Sequence, residues 1–160
     1  MQYSHRTWII ISGLIWCAVG VLLLIKGLTY IVMAAAAPEG SHPLFSSIAA
    51  FTGTVEQAAL FLISLGLLVG FIKGRYVLSK TVSRITKRIL SLNDPIDWKD
   101  VYPKSYYILI FSMMLIGVLF KWLPIGFAIK GFVDVAIGSA LINGALLYFR
   151  KAMAYSRITK

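Results

Sequence analysis

Few residues of this chain could do chemistry, and those few are not arranged as a known reactive site. His5 and His42 are the only histidines, and Cys17 is the only cysteine. Glu39 and His42 share a loop, but two ligands three residues apart fall short of a metal site. The sequence also contains no HExxH, GxSxG or P-loop motif. We therefore expect no catalytic residue, no metal site and no cofactor, and we predict that the protein is not an enzyme.

Five polar residues inside or beside long apolar runs are candidates for a pore lining or a polar contact. Asn143 lies well inside the last run, where an unpaired amide is costly, so it should face another helix or a wet cavity. Lys26 should lie level with Glu56 near the outer surface, and Lys121 should lie level with Asp134. These two pairs are either interfacial ion pairs or the rim of a charged outer vestibule.

Small residues recur at every fourth position in two of the apolar runs. They are Gly66, Gly70 and Gly74 in one run and Ala136, Ala140 and Gly144 in another. Helices in lipid associate through close backbone contact rather than through hydrophobic burial, and small residues permit that contact. The pattern predicts helix packing, either within one chain or between the chains of a homo-oligomer.

The elements that carry these residues are predicted to be transmembrane helices. The chain has 160 residues, of which 59% are hydrophobic and only 14% charged, whereas soluble domains are about 45–50% apolar and about 25% charged. Lys26 separates the first run from MAAAAPEG, so we interpret this run as a retained span and not a signal peptide. The predicted spans are residues 7–25, 55–72, 105–120 and 132–149.

The distribution of Lys and Arg predicts the orientation of the chain. Thirteen of the 16 Lys and Arg residues fall on the side of the two termini and three on the other side. This bias predicts that both termini lie on the cytoplasmic side of a plasma membrane or a bacterial inner membrane. The net charge of +10 is explained by this bias, so we predict no nucleic-acid partner. Trp8, Tyr76 and Tyr148 should anchor the inner boundary.

An internal repeat suggests that the four spans form two tandem helical hairpins. SRITK occurs at residues 83–87 and again at 156–160, and GLLVG at 66–70 aligns with ALING at 140–144. The first hairpin would enclose a long outer loop, residues 27–54. Thr54 and Gln57 form a capping box that predicts the start of the second span.

The second span should continue into a basic amphipathic helix over residues 73–92. Its apolar residues recur at three- and four-residue steps on one face, and the cations occupy the rest of the surface. Such a helix attracts anionic lipid headgroups at the cytoplasmic face, or packs its apolar edge against the chain's own tail. The candidate lipid-binding residues are Lys73, Arg75, Lys80, Arg84, Lys87 and Arg88.

The sequence therefore predicts an all-α, multi-pass integral membrane protein. The hairpin repeat, the glycine face and Asn143 favour a homo-oligomeric channel or transporter for a small solute, and a basic cytoplasmic mouth would favour anions. The alternative is a membrane scaffold or lipid-binding accessory subunit that does not transport and that uses the basic helix and the outer loop.

Overall fold

A computed structural model of the chain describes residues 5–37, 43–91, 115, 119, 122–123 and 125–158. All regular structure within these residues is helical. The long helices are α1 (His5–Ala35), α3 (Val55–Lys73) and α5 (Phe127–Ile158), and the shorter ones are α2 (Pro43–Thr52) and α4 (Ser79–Leu90); a π-helix, Gly74–Leu78, joins α3 to α4.

Three continuous helical segments are long and apolar enough to cross a membrane, namely His5–Ala35, Val55–Leu90 and Phe127–Ala154. They include the predicted first, second and fourth spans. The predicted third span, residues 105–120, lies outside the described residues except for positions 115 and 119.

The first helix runs ten residues beyond the predicted end of the first span, so residues 27–35 of the predicted outer loop are helical. Lys26 was interpreted as the end of the span, but lysine is a good helix former and residues 27–35 are apolar. Residues 43–52 form α2. The predicted cap at Thr54 is confirmed, because its hydroxyl accepts a hydrogen bond from the Gln57 N–H at 3.2 Å.

α1 runs antiparallel to α5, and their backbones touch along a seam of small residues. A Cβ added to Gly20 would lie 3.0 Å from the carbonyl oxygen of Gly138, and one added to Gly27 would lie 2.8 Å from that of Gly131. The small residues recur at every seventh position, as expected for two helices that stay in register. The series is Gly13, Gly20, Gly27 and Ala34 in α1 and Gly131, Gly138, Ala145 and Ala152 in α5.

α3 runs parallel to α5 and packs on it through the predicted glycine face. A Cβ on Gly66 would lie 3.0 Å from the Val135 side chain, and one on Gly74 would lie 2.8 Å from the Ala140 carbonyl oxygen. Gly70 sits directly against the Ala136 carbonyl. The glycine face therefore packs two helices of the same chain.

The π-helix keeps one stripe of residues on α5 as α3 becomes α4. Small and apolar residues follow one another at four-residue steps from Gly66 through Gly74 and Leu78 to Val82, which is a longer period than the 3.6 residues of an α-helix. A π-helical turn takes up an extra residue. The stripe therefore stays in contact, and Leu78 packs beside the buried Val82.

The helices enclose two separate hydrophobic clusters, one at each end. One, called the outer cluster after the orientation predicted from the sequence, joins α2 to α1, α3 and α5 through residues such as Ile31, Phe45 and Leu62. The other, called the inner cluster, joins α4 to α1 and α5 and contains Trp8 and Tyr148 at 6% and 0% exposure. These two aromatic residues are core residues and not the interfacial anchors that the sequence predicted, because α4 covers them.

Candidate functional site

An ion pair within the α1–α5 seam is the first candidate site. Lys26 Nζ lies 3.1 Å from Asp134 Oδ2, and the same ammonium group lies 5.3 Å from the centroid of the Tyr30 ring. Asp134 is the more buried partner, with a side chain 17% exposed against 48% for Lys26. The arrangement is a compensated charge pair with one open side, flanked by an aromatic face that favours a cation.

The structure pairs Asp134 with Lys26, because α1 runs antiparallel along α5. Gly27 touches Gly131 at this level, and this register brings Lys26 next to Asp134. Glu56 is exposed at the start of α3 and makes no ion pair with any described residue. Lys121 lies outside the described residues.

The ion pair lies near the middle of α3 in the direction of the helix axes. Val135, which follows Asp134, packs on Gly66, and Gly66 is the twelfth of the 19 residues of α3. At 1.5 Å per residue this is about 16 Å along a helix of about 28 Å. The pair is therefore not at the end of the bundle, where the sequence pattern predicted it.

Two polar side chains, those of Ser139 and Asn143, follow Asp134 along α5 and lie at the contact between α3 and α5. The Asn143 amide donates to the Ser139 carbonyl of its own helix at 2.9 Å, so the described contact is local and not interhelical. Ser139 instead makes the interhelical bond, because its hydroxyl donates to the Leu67 carbonyl at 3.2 Å. Ser139 is 8% exposed, and this bond fastens α5 to α3 where their backbones are closest.

The surface of α4 and the residues before it is the second candidate site. All six predicted lipid-binding cations, from Lys73 to Arg88, are exposed, while Val82, Ile85 and Ile89 of the same segment are buried. The apolar edge packs on α1 and α5. The apolar residues of the segment are therefore buried against the other helices, and its six cations are exposed on the surface.

Three residues of these sites were not predicted from the sequence. Tyr30 lay in the predicted outer loop, and Ser139 was not among the candidate residues. Lys151, a half-buried cation of α5, was counted only for orientation. The seven-residue spacing of small residues in α1 and α5 was the available signal, since it would have paired these two helices.

The described part of the chain is helical, and three of its helices are long and apolar enough to cross a membrane. No protein-family model, curated protein or solved structure matches the chain.

Proposed function

We propose that the protein is a homo-oligomeric membrane channel or transporter for a small solute, with four spans and both termini in the cytoplasm. The parallel directions of α3 and α5 support the fourth span, since the chain between them has to return from one end of the bundle to the other. The six exposed cations of the segment from Lys73 to Arg88 support the orientation. The tandem hairpin repeat belongs to the same proposal and rests on the SRITK identity.

The position of α4 supports a hydrocarbon layer that lies closer to α2 than the predicted spans placed it. Each cation at the centre of a bilayer costs about 2.5–3.5 kcal/mol on insertion scales, so α4 belongs outside the hydrocarbon. The inner ends of α1 and α5 pack beside α4 and belong there too. A hydrocarbon layer of about 30 Å that begins near Gly74 then ends near the level of α2.

The ion pair of Lys26 and Asp134 carries the functional proposal. If the hydrocarbon layer extends from Gly74 to the level of α2, the ion pair lies near its middle. Ionisable residues are costly at this depth and commonly belong to ion or substrate pathways. The half-exposed Lys26 side chain then needs a cover other than lipid, and a second copy of the chain or a water-filled path between copies provides it. Solute would pass along this side, because backbone contact closes the α1–α5 and α3–α5 seams.

Flux measurements in liposomes test the proposal. Purified protein should pass chloride or another small anion faster than empty liposomes do, and Lys26→Gln should reduce the rate about tenfold, as the loss of one charged hydrogen bond predicts. Lys80→Gln is the matched control, since it removes one exposed cation far from the ion pair. Flux equal to that of empty liposomes would count against transport.

The exposed cations support a second candidate function, that of a non-transporting scaffold or lipid-binding accessory subunit. Each cation near an anionic surface contributes about 1 kcal/mol. Neutralising Lys80, Arg84 and Lys87 together should then strip anionic lipid, or a stoichiometric partner, from the purified protein. An unchanged profile of bound lipid and partners would argue for the channel or transporter.

A further inference from the structure

The surroundings of the Lys26 ammonium group form a recognition site for such a group. Lys26 Nζ lies 3.1 Å from Asp134 Oδ2 and 5.3 Å from the centroid of the Tyr30 ring. The Phe127 ring follows, with its centroid 5.7 Å from that of Tyr30. A carboxylate beside an aromatic face binds an ammonium group through a charge-assisted hydrogen bond and a cation–π contact.

The carboxylate and the ring are carried by backbones in contact, whereas the lysine side chain is largely free. A Cβ on Gly27 would lie 2.8 Å from the Gly131 carbonyl oxygen, so α1 and α5 touch beside the pair. The Lys26 side chain is 48% exposed, and an exposed lysine retains much of its rotamer freedom. Lys26 can therefore turn towards a solute while Asp134 and Tyr30 stay in place.

The exposed side of Lys26 supplies the complementary half of the site, since an ammonium group binds a carboxylate. Lys130 precedes Asp134 by one turn of α5, so it adds a second cation on the same helix face. A solute with a single charge uses half of the site: an anion meets only the lysines, and a cation meets only the carboxylate and the rings. A solute with both charges uses both halves and brings no net charge into the membrane interior, where charge is costly.

We infer that the ion pair binds a small zwitterion of the α-amino acid class, an inference that rests on the proposed function because it names the solute of that site. The solute ammonium group contacts Asp134 and the face of Tyr30, and the solute carboxylate contacts Lys26. In an α-amino acid a single carbon separates the two charged groups. Their spacing therefore matches the close approach of Lys26 Nζ and Asp134 Oδ2, whereas longer amino acids hold their charges further apart.

Calorimetric titration of the full chain in phosphatidylcholine nanodiscs tests this class of solute. Glycine should bind. Acetate and methylammonium each carry one half of glycine, and γ-aminobutyrate carries both charges at a larger spacing. Each of these three should bind at least about tenfold more weakly than glycine, because each loses a charged hydrogen bond. The absence of glycine binding, or binding of any of the three as tight as that of glycine, would overturn the inference.

A substitution of the ring separates the two halves of the site without leaving a charge unpaired. Tyr30→Leu should weaken the binding of glycine and methylammonium about two- to fivefold, as the loss of a cation–π contact predicts, and should leave acetate binding unchanged. Tyr76→Leu is the matched control, because Tyr76 is a 72% exposed tyrosine of the π-helix. If Tyr30→Leu bound glycine as wild type does, or lost acetate binding equally, the zwitterion site would be excluded.

Flux measurements in liposomes keep the inference separate from the proposed function. Glycine binding without flux of glycine or chloride above that of empty liposomes would remove transport and uphold the zwitterion site. Chloride flux through a protein that does not bind glycine would uphold transport and remove the zwitterion site.

Discussion

Individual glycines hold the three long helices together, and they do so by lacking a side chain. At Gly20 and Gly70 the neighbouring backbone of α5 occupies the space that a Cβ would need. We expect Gly20→Val and Gly70→Val each to destabilise the protein by about 1–3 kcal/mol, the usual cost of overpacking. Unfolding in mixed detergent micelles, followed by circular dichroism, measures this change.

The matched control for these glycines is an exposed position of α3. Leu68 is 55% exposed, so Leu68→Val should change the free energy of unfolding by less than about 0.5 kcal/mol. If Gly70→Val were as stable as Leu68→Val, α3 and α5 would not be in backbone contact.

The ion pair of Lys26 and Asp134 should show energetic coupling. Lys26→Gln and Asp134→Asn each leave one charge without its partner, whereas the double variant leaves none. The double variant should therefore be more stable than the sum of the single effects predicts, with a coupling of about 0.5–3 kcal/mol. The same micelle unfolding measurement gives all three values, and strict additivity would show that the two charges do not interact.

At the level of elements, the π-helix sets which face of α4 meets the rest of the protein. Inserting one alanine after Val77, which is 61% exposed, adds a residue beyond the one that the π-helical turn takes up and should rotate α4 by about 100°. Its cations would then face Trp8 and Tyr148, and the inner cluster would lose Val82, Ile85 and Ile89. We expect loss of cooperative unfolding of this end, measured by tryptophan fluorescence. Val77→Ala keeps the chain length and should behave like wild type.

The helices could be predicted from local sequence, but their partners could not. The apolar run and the Thr54 cap predicted both ends of α3 to within one residue. The end of α1 was misplaced because a single lysine changes hydropathy without ending a helix. The partner of Asp134 depends on which helices are neighbours, and a duplicated pentapeptide such as SRITK carries no information about contact.

Glycine spacing illustrates the same limit at the α1–α5 seam. Four-residue steps in α3 were recognised as a packing signal, yet such steps do not say whether the partner helix is in the same chain. The seven-residue steps of α1 and α5 match each other in number and spacing, and only that match identifies a pair. The polar sites follow from the pairing, since Lys26 meets Asp134 by register alone.

For the whole molecule, the central question is how deep the bundle sits in the membrane. α1 has 31 residues and is therefore about 46 Å long, which exceeds the hydrocarbon thickness of about 30 Å. The hydropathy of α1 alone allows its inner or its outer part to be embedded. The packing of α4 against the inner end of α1 favours the outer part, with the middle of the hydrocarbon near Lys26 and not near Trp16.

Spin labels along the exposed face of α1 measure this depth directly. Leu14, Leu22, Ile25 and Val32 are all at least 56% exposed, so a nitroxide on a cysteine at each position, in a Cys17→Ser background, should leave the packing intact. The ratio of oxygen to nickel-chelate accessibility rises towards the bilayer centre. We expect it to be highest at Ile25 and lower at both Leu14 and Val32, because the hydrocarbon centre should lie beside the ion pair. A maximum at Leu14 would place Lys26 and Asp134 at the outer surface and remove the physical basis for an intramembrane site.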